Sequence, residues 1–194
     1  MSNLAYDYQC EESRYEIIGG KEIMSPSGTI GHNTIIGNLY WIFKNYFKEH
    51  KNSGRVYTDN LDVHLEDGEI YMPDVKVIKN YTVLSSIDTI HVVPDFIAEV
   101  LSKSTKKYDI GKKKDIYEKH GVSEYWTIDP IQKSIDVYHI IDGKYKLDDV
   151  YQLYNDNEWK QLTNKQKEEA KFEIKVSIFD DLIVKVEDVF EWID

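Results

Sequence analysis

The 194-residue chain is 41% hydrophobic and 30% charged, a composition typical of globular proteins, and it is long enough for one domain with its own core over residues 1–194. Its formal net charge of −11 excludes a surface that is basic throughout, so binding to nucleic acid would need a local basic patch. A single cysteine excludes a disulfide framework and a cysteine-type zinc site, while the lack of a long apolar run or a signal-peptide pattern predicts a cytoplasmic protein with no membrane partner.

The N-terminal region carries a hairpin signal. Two short apolar runs flank Gly19-Gly20 within residues 15–25, and such a pair suits a tight turn between antiparallel strands. Apolar residues then recur at helical spacing over 32–48. This spacing predicts an amphipathic helix packed on a sheet, with its start capped by Asn33 or by the residues before it.

A strand-rich region follows the helix. Residues 55–58 and 61–65 are predicted to be extended. Residues 70–78 form an apolar run that contains Pro73, which indicates a strand edge or a bulge at that point. Residues 95–101 predict a short apolar strand interrupted by one acid.

The second half of the chain continues with a helix and more strands. The pattern over 108–120 predicts a helix that is ended by Gly121. Further strands are predicted at 124–129, 135–140 and 144–154, followed by a short strand and a helix within 182–193. This order predicts an α/β (α+β) fold with a mixed β-sheet flanked by helices and an extra N-terminal hairpin.

Two acids stand inside apolar, strand-like runs. Asp74 opens one run and Glu99 lies in the middle of another. A buried carboxylate is costly unless it is paired, hydrogen-bonded or bound to a metal, and hard oxygen ligands suit Mg²⁺ or Mn²⁺. The following helix places Asp109, Lys113 and Tyr117 on one face, so a lysine could orient or deprotonate an attacking water. We therefore expect the two acids on adjacent strands with their carboxylates converging.

Each of these features also has a purely structural interpretation. Asp74 could be a turn residue after proline, and Glu99 could point to solvent if its strand is half exposed. Lys113 lies in a run of three lysines, and such runs are usually solvated. Spacing alone leaves both interpretations open.

Long stretches of the sequence resemble one known family. They are YEIIGGKEIMSP at 15–26, PDVKVI at 73–78, PDFIAEVLSKST at 94–105, YDIGKKKDIYEKHGVSEYWTIDP at 108–130 and IFDDLIVKVEDVF at 178–190. In these stretches the chain resembles the Uma-two family, a branch of the PD-(D/E)XK superfamily of restriction-endonuclease-like proteins. The resemblance covers nearly the whole chain and implies a restriction-endonuclease-like fold.

The resemblance also implies an activity, namely metal-dependent hydrolysis of DNA phosphodiester bonds with Mg²⁺ or Mn²⁺ as cofactor. Asp74 matches the family's acid after proline and Glu99 its second acid, and both would bind the metal. The superfamily usually has its lysine two residues after the second acid, where this chain has Leu101. Lys113 on the following helix is the match for that lysine.

Further residues receive roles from the same resemblance. His32 is a helix cap or a core-edge residue on the sequence alone, whereas the family often has a histidine near the site at this position. Ser102, Asp109 and Tyr117 are candidates for hydrogen bonds around the metal ligands. Lys103 departs from the family, which usually has proline there.

A basic segment partly offsets the acidic charge. Residues 102–120 hold seven lysines and three acids, a net of +4, and could face a phosphate backbone or form a solvated helix face. The predicted nucleic-acid contacts are Lys103, Lys106, Lys107, Lys112 and Lys114. DNA binding through this one segment should be weak and salt-dependent.

An alternative function is a catalytically weak nuclease-fold module that acts in nucleic-acid binding or regulation. The acidic net charge favours this alternative, whereas the intact set of aspartate, glutamate and lysine opposes it. No separate recognition helix is visible, so sequence specificity has no support. The predicted partners are DNA and a second copy of the chain, with which it would form a homodimer.

Overall fold

The computed structural model describes most of the chain. The described residues are 15–18, 20–24, 28–51, 53–59, 61–65, 68–83, 89–102 and 106–193. Gly19, the single cysteine Cys10 and Lys103 lie outside the described residues.

The described part of the chain alternates between short strands and helices. The strands are β1 (Tyr15–Ile18), β2 (Lys21–Met24), β3 (Arg55–Thr58), β4 (Val63–His64), β5 (Ile70–Tyr71), β6 (Val75–Ile78), β7 (Phe96–Val100), β8 (Glu124–Asp129), β9 (Ser134–Ile141), β10 (Lys144–Gln152), β11 (Glu173–Lys175) and β12 (Ile183–Lys185). The helices are α1 (Ile30–Glu49), α2 (Lys106–Tyr108), α3 (Lys114–His120), α4 (Asp156–Gln161), α5 (Asn164–Glu169) and α6 (Val186–Val189), with a 3-10 turn at Tyr81–Val83 and a π-helical turn at Asp109–Lys113.

A six-stranded mixed sheet forms the centre of the fold. Its strand order is β10-β9-β8-β7-β6-β3, and every neighbouring pair is antiparallel except β7 and β8. The chain connects these two parallel strands through the helical segment 106–120, as a parallel pair requires a long crossover. All five residues of β7 are buried because this strand is covered on both faces.

One face of the central sheet packs against α1 and the C-terminal segment. Ile35, Leu39 and Phe43 recur at helical spacing on α1 and are completely buried. They join a core cluster that includes Trp126 of β8 and Val189 of α6. The helix is capped by Thr29, whose side chain accepts the N–H of His32.

The opposite face packs against the crossover segment and a second sheet of four strands in the order β2-β1-β5-β4. Its core cluster contains Tyr71, Tyr117 and Tyr125, and the Tyr117 ring lies 5.4 Å from each of the other two rings, centroid to centroid. Buried tyrosines keep a polar hydroxyl that needs a partner. This tyrosine-rich layer therefore brings polar atoms next to the acids of the sheet.

The structure confirms the predicted fold class and refines the elements. The mixed sheet flanked by helices and the N-terminal hairpin are both present. The strand edge indicated at Pro73 is present, and the run over 70–78 is divided there between β5 in the second sheet and β6 in the central sheet. The helix predicted at 108–120 begins at Lys106 and contains a π-helical turn.

Two short helices, α4 and α5, were not predicted, since they bury no residue and show no apolar face. Each is instead defined by a capping box at its start. Within the described ranges, no helix combines the length and the apolar character needed to cross a membrane.

The packing of α1 yields a matched pair of stability predictions. Phe43→Ala should lower the free energy of unfolding by about 3–5 kcal/mol, because it empties a site with no solvent exposure. Trp41 lies two residues earlier, and its side chain is 62% exposed. Trp41→Ala should therefore change the free energy of unfolding by less than about 0.5 kcal/mol. Urea denaturation measures both, and equal effects would contradict the described orientation of α1.

Candidate active site

Asp74 and Glu99 lie side by side on one face of the central sheet. Val75 pairs with Ala98 in the antiparallel register of β6 and β7, which sets Asp74 opposite Glu99. Asp74 Oδ2 accepts the backbone N–H of Val100 at 2.7 Å, so the aspartate is fixed against the neighbouring strand. Glu99 is only 2% exposed. The expected convergence of the two acids is therefore present.

Lys113 reaches these acids from the π-helical turn. Its ammonium Nζ donates to Glu99 Oε1 at 3.2 Å and forms ion pairs with Glu16 Oε1 at 2.9 Å and Asp109 Oδ1 at 3.5 Å. The residue is 4% exposed, although it stands between two other lysines in the sequence. Lys113 is thus the buried counter-ion of three carboxylates, and the interpretation of a solvated lysine run fails at this position.

The π-helical turn has a structural anchor. The Tyr125 hydroxyl of β8 donates to the backbone carbonyl of Asp109 at 2.8 Å. π-helical turns are rare and often occur at functional sites, where they re-aim a side chain. Here the widened turn presents Asp109 and Lys113 to the sheet, and both side chains are buried.

Burial and charge decide the protonation states of the central pair. Burial raises the pKa of Glu99 well above its usual range, against the effect of the nearby Lys113 ammonium. The carboxylates of Asp74, Asp109 and Glu16 raise it further. Burial disfavours the charged form of Lys113, but its carboxylate neighbours outweigh burial and raise its pKa well above the usual range. Lys113 is therefore a cation that resists giving up its proton.

His32 adds a further partner to the aspartate. It lies in the first turn of α1, and its Nε2 is 3.1 Å from Asp74 Oδ2. Burial opposes the charged imidazolium, but the hydrogen bond and charge of Asp74 outweigh it, so the pKa of His32 is raised above 6.5. Gly28 packs against this ring, and a Cβ there would lie 2.6 Å from His32 Nδ1.

Tyr117 and Ser102 take different positions relative to the acids. The Tyr117 hydroxyl donates to Glu99 Oε1 at 2.9 Å, as expected for a residue that orients this carboxylate. Ser102 follows β7, and its backbone carbonyl accepts the N–H of Lys106 at 2.9 Å.

Two charged residues of the site were missed in the sequence. Glu16 is 3% exposed and reaches Lys113 from β1. Lys76 has no solvent exposure, and its ammonium donates to the Pro73 carbonyl at 2.9 Å. Burial lowers the pKa of Lys76 to about 8 despite the nearby carboxylates. Strand alternation could have found both, since Glu16 shares a face with the buried Ile18, and Lys76 shares one with Asp74.

The predicted basic surface is smaller than the sequence suggested. Lys106 forms an ion pair with Asp129 at 2.9 Å, and Lys107 is exposed. Because Lys113 is buried, its charge does not contribute to that surface.

The two neighbours of Lys113 differ from each other. Lys112 is exposed, as expected. Lys114, which is also a predicted nucleic-acid contact, is half-buried and lies with Nζ 3.6 Å from the centroid of the Tyr138 ring, so its charge is partly engaged within the protein.

The two acids fit a divalent cation that keeps several of its waters. Among the described residues, hydrogen bonds to the pair end only on Asp74 Oδ2 and Glu99 Oε1, which leaves one oxygen of each carboxylate for another ligand. Mg²⁺ commonly uses one or two carboxylates together with waters and substrate oxygens. Within the same residues, no group of three or more histidine, cysteine or acidic side chains has an arrangement that could hold a metal.

The raised pKa of His32 predicts a pH-dependent contribution to stability. A histidine whose pKa is higher in the folded state stabilises that state fully below its unfolded value of 6.5 and loses this contribution as pH rises through the raised value. His32→Gln should therefore lower the free energy of unfolding more at a pH below 6.5 than at alkaline pH. Urea titrations at both pH values measure this difference.

Asn33→Gln, an exposed neutral neighbour in the same turn, serves as the control. Asn33→Gln should change the free energy of unfolding by the same amount at the two pH values. A His32→Gln effect that does not vary with pH would contradict the charged contact with Asp74.

Comparison with known proteins identifies the family of this chain. The family model described as "Uma2: Putative restriction endonuclease" matches residues 4–166. A crystal structure at 1.96 Å resolution of "a putative nuclease belonging to DUF820" from Anabaena variabilis ATCC 29413 has the same fold, with a TM-score of 0.73. It is 19% identical in sequence, and the match covers 94% of this chain and 92% of that one. No curated protein matches the chain. Because the family match spans most of its length, the chain belongs to the Uma2 family of restriction-endonuclease-like proteins.

Proposed function

We propose that the chain is a metal-dependent endonuclease that hydrolyses DNA phosphodiester bonds. The observation that carries the proposal is the convergence of Asp74, Glu99 and Lys113 on one face of the sheet, within a family described by nuclease activity. Pairs of acids beside a lysine serve hydrolysis of phosphodiesters because they combine metal binding with stabilisation of negative charge.

Asp74 and Glu99 would hold Mg²⁺ or Mn²⁺ through the oxygens that accept no hydrogen bond from described residues. When bound, such an ion supplies Lewis-acid polarisation of the phosphate and lowers the pKa of a coordinated water. His32 keeps Asp74 oriented, and Tyr117 keeps Glu99 oriented.

Lys113 would act through its charge. Because neighbouring carboxylates raise its pKa well above the usual range, its ammonium stays protonated and is a poor general base. An ammonium beside the two acids can orient a water and offset the negative charge that develops on a phosphate. Of the two roles predicted for this lysine, the structure supports orientation and charge compensation over proton removal.

A nuclease-fold module without efficient catalysis is the second candidate. The net charge of −11, together with the engagement of Lys106 by Asp129 and of Lys114 by Tyr138, favours weak binding to nucleic acid. Weak, salt-dependent contact with DNA is compatible with both candidates. Only a catalytic assay separates them.

Cleavage of supercoiled plasmid in Mn²⁺ or Mg²⁺ tests the proposal. The wild-type chain should nick or linearise the plasmid, and EDTA should abolish the reaction. Asp74→Ala should lose at least about a hundredfold in rate, since it removes a proposed metal ligand. A wild-type chain that does not cleave would favour the binding module. An Asp74→Ala variant that cleaves at the wild-type rate would contradict the assignment of Asp74 as a metal ligand.

The lysine run provides an internal control for the same assay. Lys113→Ala should remove most of the cleavage, whereas Lys112→Ala should change mainly the DNA affinity and its salt dependence. Lys113→Ala should also destabilise the folded state, because removing the partner of buried carboxylates costs about 3–5 kcal/mol. Rates are therefore compared at a temperature where circular dichroism shows each variant to be folded.

Metal binding has a readout that is independent of cleavage. A ligand that binds only the folded state stabilises it, by about 2.7 kcal/mol when its concentration is a hundred times its Kd. Millimolar Mn²⁺ should thus raise the melting temperature above that in EDTA for the wild-type chain and not for an Asp74→Ala, Glu99→Gln double variant. Identical melting curves for the wild type in both conditions would count against the metal site.

The remaining sequence predictions belong to the same proposal. They are a single domain over residues 1–194, a cytoplasmic location, and a homodimer as the assembly. DNA rather than RNA as the substrate rests on the family description.

A further inference from the structure

Glu16 of the N-terminal hairpin contributes its charged side chain to the site. Its Oε1 lies 2.9 Å from Lys113 Nζ, closer than the oxygens of Glu99 at 3.2 Å or Asp109 at 3.5 Å. The hairpin belongs to the second sheet, separate from the sheet that carries Asp74 and Glu99. The shortest ion pair of the lysine is thus made by an element outside the central sheet.

Glu16 is itself held in place. The same Oε1 accepts the backbone N–H of Met72 at 2.9 Å, and the adjacent Ile17 pairs with Ile70 of β5. Met72 stands two residues before Asp74. One carboxylate oxygen therefore connects the lysine to the backbone that leads into the aspartate.

The role of the contact between Glu16 and Lys113 depends on the other groups around the Lys113 ammonium. A lysine ammonium has three N–H groups, and three carboxylates surround Lys113 within 3.5 Å. Among the described residues, the ammonium donates a hydrogen bond to Glu99 and pairs by charge with Glu16 and Asp109. Glu99 is also the carboxylate that a metal ion would engage. Glu16 and Asp109 can then keep the lysine in place.

We propose that Glu16 is a positioning residue that holds the Lys113 ammonium beside Asp74 and Glu99 while Glu99 is engaged in the reaction. The inference rests on the proposed nuclease function and extends the site to the hairpin. Without Glu16, the flexible side chain of Lys113 is left with Glu99 and the more distant Asp109. The ammonium then has more freedom to leave its buried position, and its main remaining ion pair, with Glu99, competes with a divalent cation.

Two substitutions of Glu16 separate positioning from folding. Glu16→Ala removes both the charge and the oxygen, whereas Glu16→Gln keeps an acceptor oxygen for Met72 and Lys113. Glu22→Ala is the matched control, since Glu22 is an exposed acid on β2 opposite Ile17 in the same hairpin.

The first measurement is the single-turnover rate of plasmid cleavage as a function of Mn²⁺ concentration. Glu16→Ala should lower the rate at saturating Mn²⁺ by about a hundredfold, the order expected from displacing a reacting group by 1 Å. It should also raise the Mn²⁺ concentration at half-maximal rate. Glu16→Gln should recover most of the rate, and Glu22→Ala should match the wild type. Wild-type rates for Glu16→Ala, or equal losses for Glu16→Ala and Glu16→Gln, would overturn the inference.

The second measurement needs no activity. Acetic anhydride labelling, read by mass spectrometry of the peptides, should modify Lys113 slowly in the wild type because the ammonium is buried and paired, with Lys112 as the exposed reference. Labelling of Lys113 relative to Lys112 should rise in Glu16→Ala and stay at the wild-type level in Glu16→Gln. Unchanged labelling in Glu16→Ala would overturn the inference. Failure of the wild type to cleave would overturn the proposed nuclease function alone, because labelling still decides the role of Glu16.

Discussion

The burial of the Lys113 ammonium among three carboxylates is the constraint on which the site depends. Neither the cation nor the acids could be buried alone, because an unpaired charge in a protein interior is costly. The contact therefore requires β1, β7 and the π-helical turn to meet at one point. One oxygen of Asp74 and one of Glu99 accept no hydrogen bond from the described residues, and the proposed divalent cation would bind there.

The position of the lysine follows from the topology of the sheet. In the superfamily pattern the lysine comes two residues after the second acid, where this chain has Leu101, just beyond the end of β7. The parallel pairing of β7 and β8 forces a crossover, and its helical segment passes over Glu99. Tyr125 fixes the π-helical turn of that crossover. This crossover brings Lys113 onto Glu99, as the role proposed for the lysine requires.

Local patterns in the sequence singled out Asp74, Glu99 and Lys113, which the structure brings together, but not all of the charged residues around them. Asp74 and Glu99 were recognisable because acids are out of place in apolar strands, and Lys113 because family resemblance and helical spacing coincided. Glu16 was not predicted because its partner, Lys113, is 97 residues away in the sequence. No local pattern shows which strand face will pack against which helix. The division of residues 70–78 between two sheets was not predicted either, because long-range packing decides which strands pair.

Anomalous X-ray diffraction from crystals of the wild-type chain soaked in Mn²⁺ tests the central claim most directly. The account predicts an anomalous peak beside Asp74 and Glu99, about 2.1 Å from one oxygen of each carboxylate, with Lys113 still in contact with Glu16 and Asp109. The Asp74, Glu99 double replacement by Asn and Gln should lose this peak. Wild-type crystals in which Mn²⁺ binds elsewhere, while this pair of acids has no peak, would contradict the claim that they form a metal-dependent nuclease site.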